Sequence, residues 1–288
     1  ELQDESWQNI SDEEILLKLF TIWGVDQTLN KIDGTYAIVL YEKRGGKLFL
    51  IRDKLGIKPL HYYMVDEQCF FSSEIKSILP YVGSDLSYDT ESVLVALSCN
   101  LWTDPQRTIF KDVYTVEPGY YLEIDKEVKK KYYYQFKPET INYDIKELID
   151  RMDKELNQII EMDLENDDIA ACLSGGLDSS LVCKIAGNKM SEPLDTFTVY
   201  YEQSQNEDLE YANMIAQNEN FNARKTLVKK DDYSVEMLDR VLYAVEDFLL
   251  DKVYVALYKN YEIIKKNGFQ TVLAGEGSDE LWIGYLFK

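Results

Sequence analysis

Ser174-Gly175-Gly176-Leu177-Asp178-Ser179-Ser180 follows an apolar run, Ile169-Ala170-Ala171-Cys172-Leu173, and precedes a stretch with helical spacing. Two adjacent glycines let a backbone approach an anion with no Cβ in the way. Ser174, Ser179 and Ser180 offer hydroxyls, and Asp178 offers a carboxylate to a magnesium ion bridging phosphate oxygens. If the run is a parallel strand, backbone amides and a helix N-terminus converge at its carboxyl end, the usual make-up of a phosphate site. The lysine that a Walker A loop requires is absent. The competing reading is a polar turn that merely connects strand to helix; seven residues of this composition in this setting argue against it.

A second segment, Ala274-Gly275-Glu276-Gly277-Ser278-Asp279-Glu280 with Gly284-Tyr285, follows another strand candidate. In isolation it reads as an acidic surface turn. At the end of a neighbouring strand of the same sheet it brings Asp279 to the magnesium and phosphate, and Glu276 to the reacting carbon. A carboxylate beside a nitrogen nucleophile can act as a general base.

These loops need a sheet to hold them, and the second half of the chain supplies the pattern. Ile145, Leu148, Ile149, Met152, Leu156, Ile159 and Ile160 repeat at helical spacing, which predicts an amphipathic helix from about 143 to 162. Strand candidates at 169–173, 196–200 and 271–274 alternate with helices at 179–186, 209–217, 235–245 and 253–266. Alternation of this kind predicts a doubly wound α/β domain. The first half has short β-branched and aromatic runs instead: 35–41 and 47–52 around Gly45-Gly46, then 69–72 and 120–124. Ahead of them, Ser11 caps a helix with Asp12, Glu13 and Glu14 in its first turn and Ile15, Leu19 and Ile22 on one face. That half reads as α+β with antiparallel strands, and Lys137-Pro138-Glu139-Thr140 as the linker.

The 288 residues suffice for two domains, and 45% apolar with 29% charged residues describes a globular chain. A formal net charge of −21 argues against nucleic acid or anionic lipid as a partner. No apolar run approaches the length of a membrane span. Cys69, Cys99, Cys172 and Cys183 are scattered, as expected of reduced, buried thiols in a cytoplasmic protein. The single histidine, His61, lies in an aromatic stretch and reads as structural, which leaves no Ser-His-Asp triad.

The Ser174–Ser180 string resembles the pyrophosphate loop of the ATP-pyrophosphatase superfamily. With the 274–285 segment, it resembles glutamine-hydrolysing asparagine synthetase. Asp33-Gly34-Thr35-Tyr36-Ala37, Arg52-Asp53-Lys54-Leu55-Gly56-Ile57-Lys58-Pro59-Leu60 and Ser72-Ser73-Glu74-Ile75-Lys76 are similar to the amidotransferase half of that family. The resemblance implies a partial class II glutamine amidotransferase domain of N-terminal-nucleophile fold over 1–138 and a partial asparagine synthase domain over 139–288. It implies ATP and Mg²⁺, and ammonia passing by tunnel from glutamine to an aspartyl-adenylate. By motif, Asp12 would bind the amino group of glutamine, and Leu173, Val199, Ala274 and Gly275 the adenosine. Ser174, Gly175, Gly176, Asp178 and Ser179 would hold pyrophosphate, Asp178 and Asp279 magnesium, and Glu276 would act where ammonia meets the acyl group. A homodimer is one candidate assembly.

The departures set further expectations. The family's N-terminal cysteine and its arginine and asparagine-glycine-glutamate segments are absent, and the sequence stops soon after Gly284-Tyr285. The chain is therefore expected to be an internal piece of a longer protein or a degenerate homologue, unable by itself to hydrolyse glutamine. Glu246-Asp247-Phe248-Leu249-Leu250-Asp251-Lys252-Val253 lacks the proline and small hydroxyl residues usual there, and Ala274 replaces a serine. A β-lactam synthetase-like or peptide-cyclising ligase acting on another acid, and a non-catalytic homologue, remain as alternatives.

Overall fold

The computed structural model describes residues 10–83, 86–99, 104–137, 144–164, 168–202, 207–247 and 251–279. The chain separates into two compact units, Glu1–Glu139 with Glu246–Leu250, and Thr140–Val245 with Asp251–Lys288. Positions 138–140 of the expected linker, 248–250, and Glu280, Gly284 and Tyr285 of the second motif lie outside the described residues.

The first unit opens with α1 (Asp12–Leu29), capped by Ser11, whose hydroxyl accepts from the Glu14 amide at 3.4 Å. Strands β1 (Ala37–Glu42), β2 (Lys47–Arg52), β3 (His61–Val65) and β4 (Gln68–Ser72) follow. Then come the short α2 (Leu79–Val82), α3 (Thr90–Cys99), β5 (Val113–Thr115), β6 (Tyr120–Ile124) and β7 (Val128–Tyr132). Two antiparallel sheets result, ordered β1-β2-β6-β7 and β4-β3-β5. The expected hairpin pairs Ala37 with Arg52 and Glu42 with Lys47. Its turn needs Gly46, whose φ of 69° is a left-handed value that glycine adopts without strain.

The expected face of α1 is only partly right. Leu19 is buried and Leu16 and Phe20 pack on Phe49, Ile51 and Tyr121, but Ile22 is 63% exposed. The buried stripe is set by Leu16 and Phe20, one turn apart, and Ile22 lies off it. Gly24, at φ 73° and ψ −179°, then breaks the helical repeat.

The second unit contains α4 (Ile145–Asp163), β8 (Ile169–Cys172), α5 (Leu177–Lys189), β9 (Asp195–Tyr201) and α6 (Glu207–Asn218). It continues with β10 (Asn222–Val228), α7 (Val235–Val245), α8 (Val253–Lys266) and β11 (Thr271–Leu273). Among the described residues its four strands are parallel, in the order β10-β9-β8-β11. The chain winds outward from β8 to β10, then returns to lay β11 on the other side of β8. This is a doubly wound sheet whose direction reverses between β8 and β11, and ligands in such sheets bind beyond the strand ends at that reversal.

Two details differ from the sequence expectation. Asn222–Val228 has four exposed residues and no apolar run, so its pattern gave no strand signal; it pairs along the full length of β9 at the sheet edge. Helix α4 forms over the expected range, yet Ile145, Ile149 and Ile159 are exposed and only Leu156 and Ile160 pack on the core. Periodicity fixes where a helix forms but not how much of its apolar stripe is covered.

Candidate active site

Strand β8 ends at Cys172, and the serine loop folds back on itself immediately afterwards. The Ser174 amide donates to Ser179 Oγ at 3.2 Å, and the two serine hydroxyl oxygens lie 2.8 Å apart. The Gly176 amide donates to Ser174 Oγ at 3.3 Å. Gly176 is the N-cap of α5 and brings no capping side chain. The first-turn amides of a 13-residue helix are thus left for an anion. Gly175 sits at φ +90°, and a Cβ there would run into the carbonyl oxygen of Asp208 on α6. The loop is also tied down from below: the Leu173 amide donates to Phe197 O at 3.0 Å, and the buried Thr198 hydroxyl donates to Leu173 O at 2.7 Å.

Beyond the ends of β8, β9 and β11 lies a cavity of about 450 Å³ within the second unit. Of the residues expected in the synthetase site, Leu173, Ser174, Gly176, Asp178, Ser179, Val199, Ala274, Gly275, Glu276 and Asp279 line it. Gly175 does not; it is the pivot that packs the loop against α6. The second loop meets the first directly, because a Cβ on Gly275 would stand 2.7 Å from the Ser179 amide nitrogen. Backbone contact at this range needs glycine and brings Glu276 and Asp279 onto the same cavity as Asp178.

The structure adds residues that the sequence reading did not single out. Asp208, Phe197, Tyr201 and Cys172 line the cavity, with Val253, Ala256, Leu257 and Asn260 of α8 opposite them. Asn260 carried the one readable signal, a polar residue on the stripe Ala256, Asn260, Ile264 that is otherwise buried and apolar. Its Oδ1 accepts from the Thr226 hydroxyl at 2.7 Å, and its Nδ2 donates to Cys172 Sγ at 3.6 Å. Burial, and then the negative charge of Glu276, push the Cys172 thiol up to about 11, so it stays neutral.

Among the described residues no group of three or more His, Cys, Asp or Glu could by itself hold a metal ion. Asp178 and Asp279 on one cavity nevertheless suit magnesium, which takes most of its ligands from phosphate and water and few from protein.

Asp12 lies elsewhere, in the first turn of α1, on a cavity of about 890 Å³ in the first unit that Asp33, Lys58 and Ser73 also line. Lys54 pairs with Asp33 at 3.0 Å and holds its carboxyl below the usual carboxylate range. Asp53, 1% exposed, accepts from the amides of Leu55, Ile57 and Lys58 at 2.9–3.1 Å, which shapes the Arg52–Leu60 loop. His61 is structural: its Nδ1 is 2.9 Å from Thr115 Oγ1, and burial lowers it to about 4.

The two units match different family models. Residues 1–135 match a glutamine amidotransferase domain and residues 151–288 match asparagine synthase. Asparagine synthetase (glutamine-hydrolysing) 1 of Bacillus subtilis is 30% identical over 281 residues, covering 96% of this chain and 43% of that protein. Asparagine synthetase (glutamine-hydrolysing) of Bos taurus is 28% identical, covering 98% of this chain and 51% of that protein. A protein of Penicillium rubens named amidase chyE is 28% identical over 96% of this chain and 43% of its own length. The chain spans about half the length of these curated relatives. An antiparallel unit that matches a glutamine amidotransferase domain is thus followed by a parallel-sheet unit that bears the serine loop and matches asparagine synthase, and along its length the chain is similar to glutamine-hydrolysing asparagine synthetases.

Proposed function

We propose that this chain carries the ATP site and the acyl-transfer site of an amide-forming ligase that takes nitrogen from glutamine. The observation that carries the reading is the convergence of the Ser174–Ser180 and 274–279 loops at the reversal between β8 and β11. The amides and hydroxyls of Ser174, Gly176 and Ser179 would hold the β- and γ-phosphates, with Gly175 setting the loop. Asp178 and Asp279 would hold Mg²⁺, whose contribution is to neutralise charge on the leaving pyrophosphate. Leu173, Val199, Ala274 and Gly275 would seat the adenosine.

A carboxylate oxygen of the acceptor acid attacks the α-phosphorus, the bond to the β-phosphate breaks, and pyrophosphate leaves. Ammonia then attacks the acyl carbon, AMP departs with the electron pair of the carbon–oxygen bond, and Glu276 takes the surplus proton. Aspartate is the acceptor and the product is asparagine. Asp12 would bind the amino group of glutamine in the first unit. A cytoplasmic setting agrees with the free thiols of Cys69, Cys172 and Cys183.

A second reading keeps the adenylation and changes the acid. It draws on Ala274 at a position where the family carries serine, and on the altered 246–253 segment. The test is formation of AMP and pyrophosphate by the full-length protein with ATP, Mg²⁺ and glutamine, with aspartate or other acids supplied singly. Turnover with aspartate supports the first reading and turnover with another acid the second. No turnover with any acid sinks both.

A further inference from the structure

Asn260 is a polar residue on the buried stripe Ala256, Asn260, Ile264 of α8, and it is 1% exposed. A carboxamide in such a place is costly unless its hydrogen-bonding capacity is used. An asparagine can donate two hydrogens and accept at two lone pairs. The protein uses one of each: Oδ1 accepts from Thr226 Oγ1 at 2.7 Å, and Nδ2 donates to Cys172 Sγ at 3.6 Å. One hydrogen and one lone pair remain, on a side chain that lines the cavity beyond the sheet.

The strand register fixes where in that cavity the carboxamide lies. Thr226 on β10 pairs with Val199 of β9, and Cys172 on β8 pairs with Phe197 of β9. Asn260 bonds to both, so it reaches across β9 at the step between Phe197 and Val199. Phe197, Val199 and Tyr201 alternate onto one face of β9, and all three line the cavity. Val253, Ala256 and Leu257 of α8 line it from the other side. Helix α8 begins at the open end, where Lys252 Nζ stands 5.9 Å from the centre of the Tyr201 ring. Asn260 comes about two turns further in. The result is a slot with apolar walls and a polar floor, and Leu173, next after Cys172, leads from that floor into the serine loop.

Such a slot suits a planar ring with two apolar faces and a hydrogen-bonding edge. One free N–H beside one free lone pair matches adenine, which presents its 6-amino hydrogen next to a ring nitrogen; asparagine pairs with adenine in this way in nucleic-acid recognition. The Thr226 hydroxyl, 0% exposed, keeps the amide oxygen on the β10 side, so donor and acceptor are presented in one order. A 6-oxo base sets an acceptor against that oxygen.

We infer that Asn260 is a specificity-determining residue for the nucleotide base: its Oδ1 accepts from the adenine 6-amino group, and its Nδ2 donates to the adjoining ring nitrogen. The inference rests on the nucleotide reading above, which seats the adenosine but assigns no side chain to read its base.

The test is isothermal titration of the full-length protein with Mg²⁺ and no acceptor acid. ATP is compared with purine riboside triphosphate, which lacks the 6-amino group, and with inosine triphosphate, which carries a 6-oxo group. The wild type is expected to bind ATP about tenfold more tightly than either analogue, the scale of one or two hydrogen bonds. Asn260→Leu is expected to weaken ATP about tenfold and to leave purine riboside triphosphate unchanged, which also shows that the variant is folded. The double variant Thr226→Val, Asn260→Leu leaves no orphaned hydroxyl and is expected to show the same loss of preference. Equal affinity of the wild type for ATP and purine riboside triphosphate overturns the base-reading role. So does a preference for ATP that persists in Asn260→Leu, or an equal loss of both nucleotides in the single and double variants, which is what a merely structural asparagine predicts. Absence of ATP binding by the wild type would instead remove the nucleotide reading, and the base-reading role with it.

Discussion

Gly275 stands against Ser179 so closely that a Cβ on it would come within 2.7 Å of the Ser179 amide nitrogen and 3.0 Å of the Asp178 carbonyl carbon. Neither neighbour is a flexible side-chain end that could move aside; both are backbone in the first turn of α5. The two loops are thus held at one separation by the absence of a single methyl group, and the spacing of Asp178 from Glu276 and Asp279 follows from it.

Gly275→Ala is expected to force those backbones apart and to weaken nucleotide binding at least tenfold, with the fold retained. Isothermal titration of the full-length protein with ATP and Mg²⁺ checks this, alongside circular dichroism. Wild-type affinity in a folded Gly275→Ala protein would show that the close approach is not what sets the site.

Asp178→Asn and Asp279→Asn each remove a proposed magnesium ligand. Each is expected to raise the Mg²⁺ concentration needed for half-maximal activity by at least the roughly tenfold to hundredfold typical of outer-shell changes. A magnesium titration at saturating ATP reads this directly. An unchanged midpoint in either variant would take that residue out of the metal site.

Thr198→Val tests the support beneath the loop. The Thr198 hydroxyl is buried and donates to Leu173 O at 2.7 Å. Its loss leaves that carbonyl short of a partner and is expected to cost about 1–3 kcal/mol in urea unfolding of the second unit. A change under about 0.5 kcal/mol would mean that the carbonyl is satisfied in another way.

His61 gives a pH dependence of stability with a defined sign. Burial lowers it from 6.5 to about 4, so below pH 6.5 the unfolded chain takes up a proton that the folded one refuses. Its contribution is complete above pH 6.5 and is lost as pH falls through 4, up to roughly 3 kcal/mol. Denaturant midpoints of the wild type and His61→Asn at pH 7 and pH 4 measure it. The variant should lose less stability on acidification, and equal losses would refute the assignment.

Much of the site was legible in the sequence because its chemistry is written in contiguous residues. Ser174–Ser179 and Ala274–Asp279 each form one turn beyond one strand, and composition alone marks such turns. What could not be read was anything contributed across the sheet. Asn260, Thr226 and Cys172 lie on α8, β10 and β8, and they meet only because β9 and β10 are laid beside β8. The strand at Asn222–Val228 carries no sequence signal because an edge strand need not be apolar to pair. The exposure of Ile22 and of the α4 stripe shows the converse, that periodicity cannot report what covers a face.

By itself, then, the sequence determined the glycine-serine loop proposed to hold phosphate, the acidic loop that accompanies it and the alternation that demands a parallel sheet. These depend on local backbone freedom and on side-chain chemistry. Only the tertiary structure decided that the chain reverses between β8 and β11 and that Gly275 touches Ser179. It also decided that Asp12 lines a cavity of its own unit while the other expected site residues, Gly175 excepted, line another. The physical reason is that strand order and close packing join residues about a hundred positions apart, as they do Ser179 and Gly275, and no local propensity encodes such a distance.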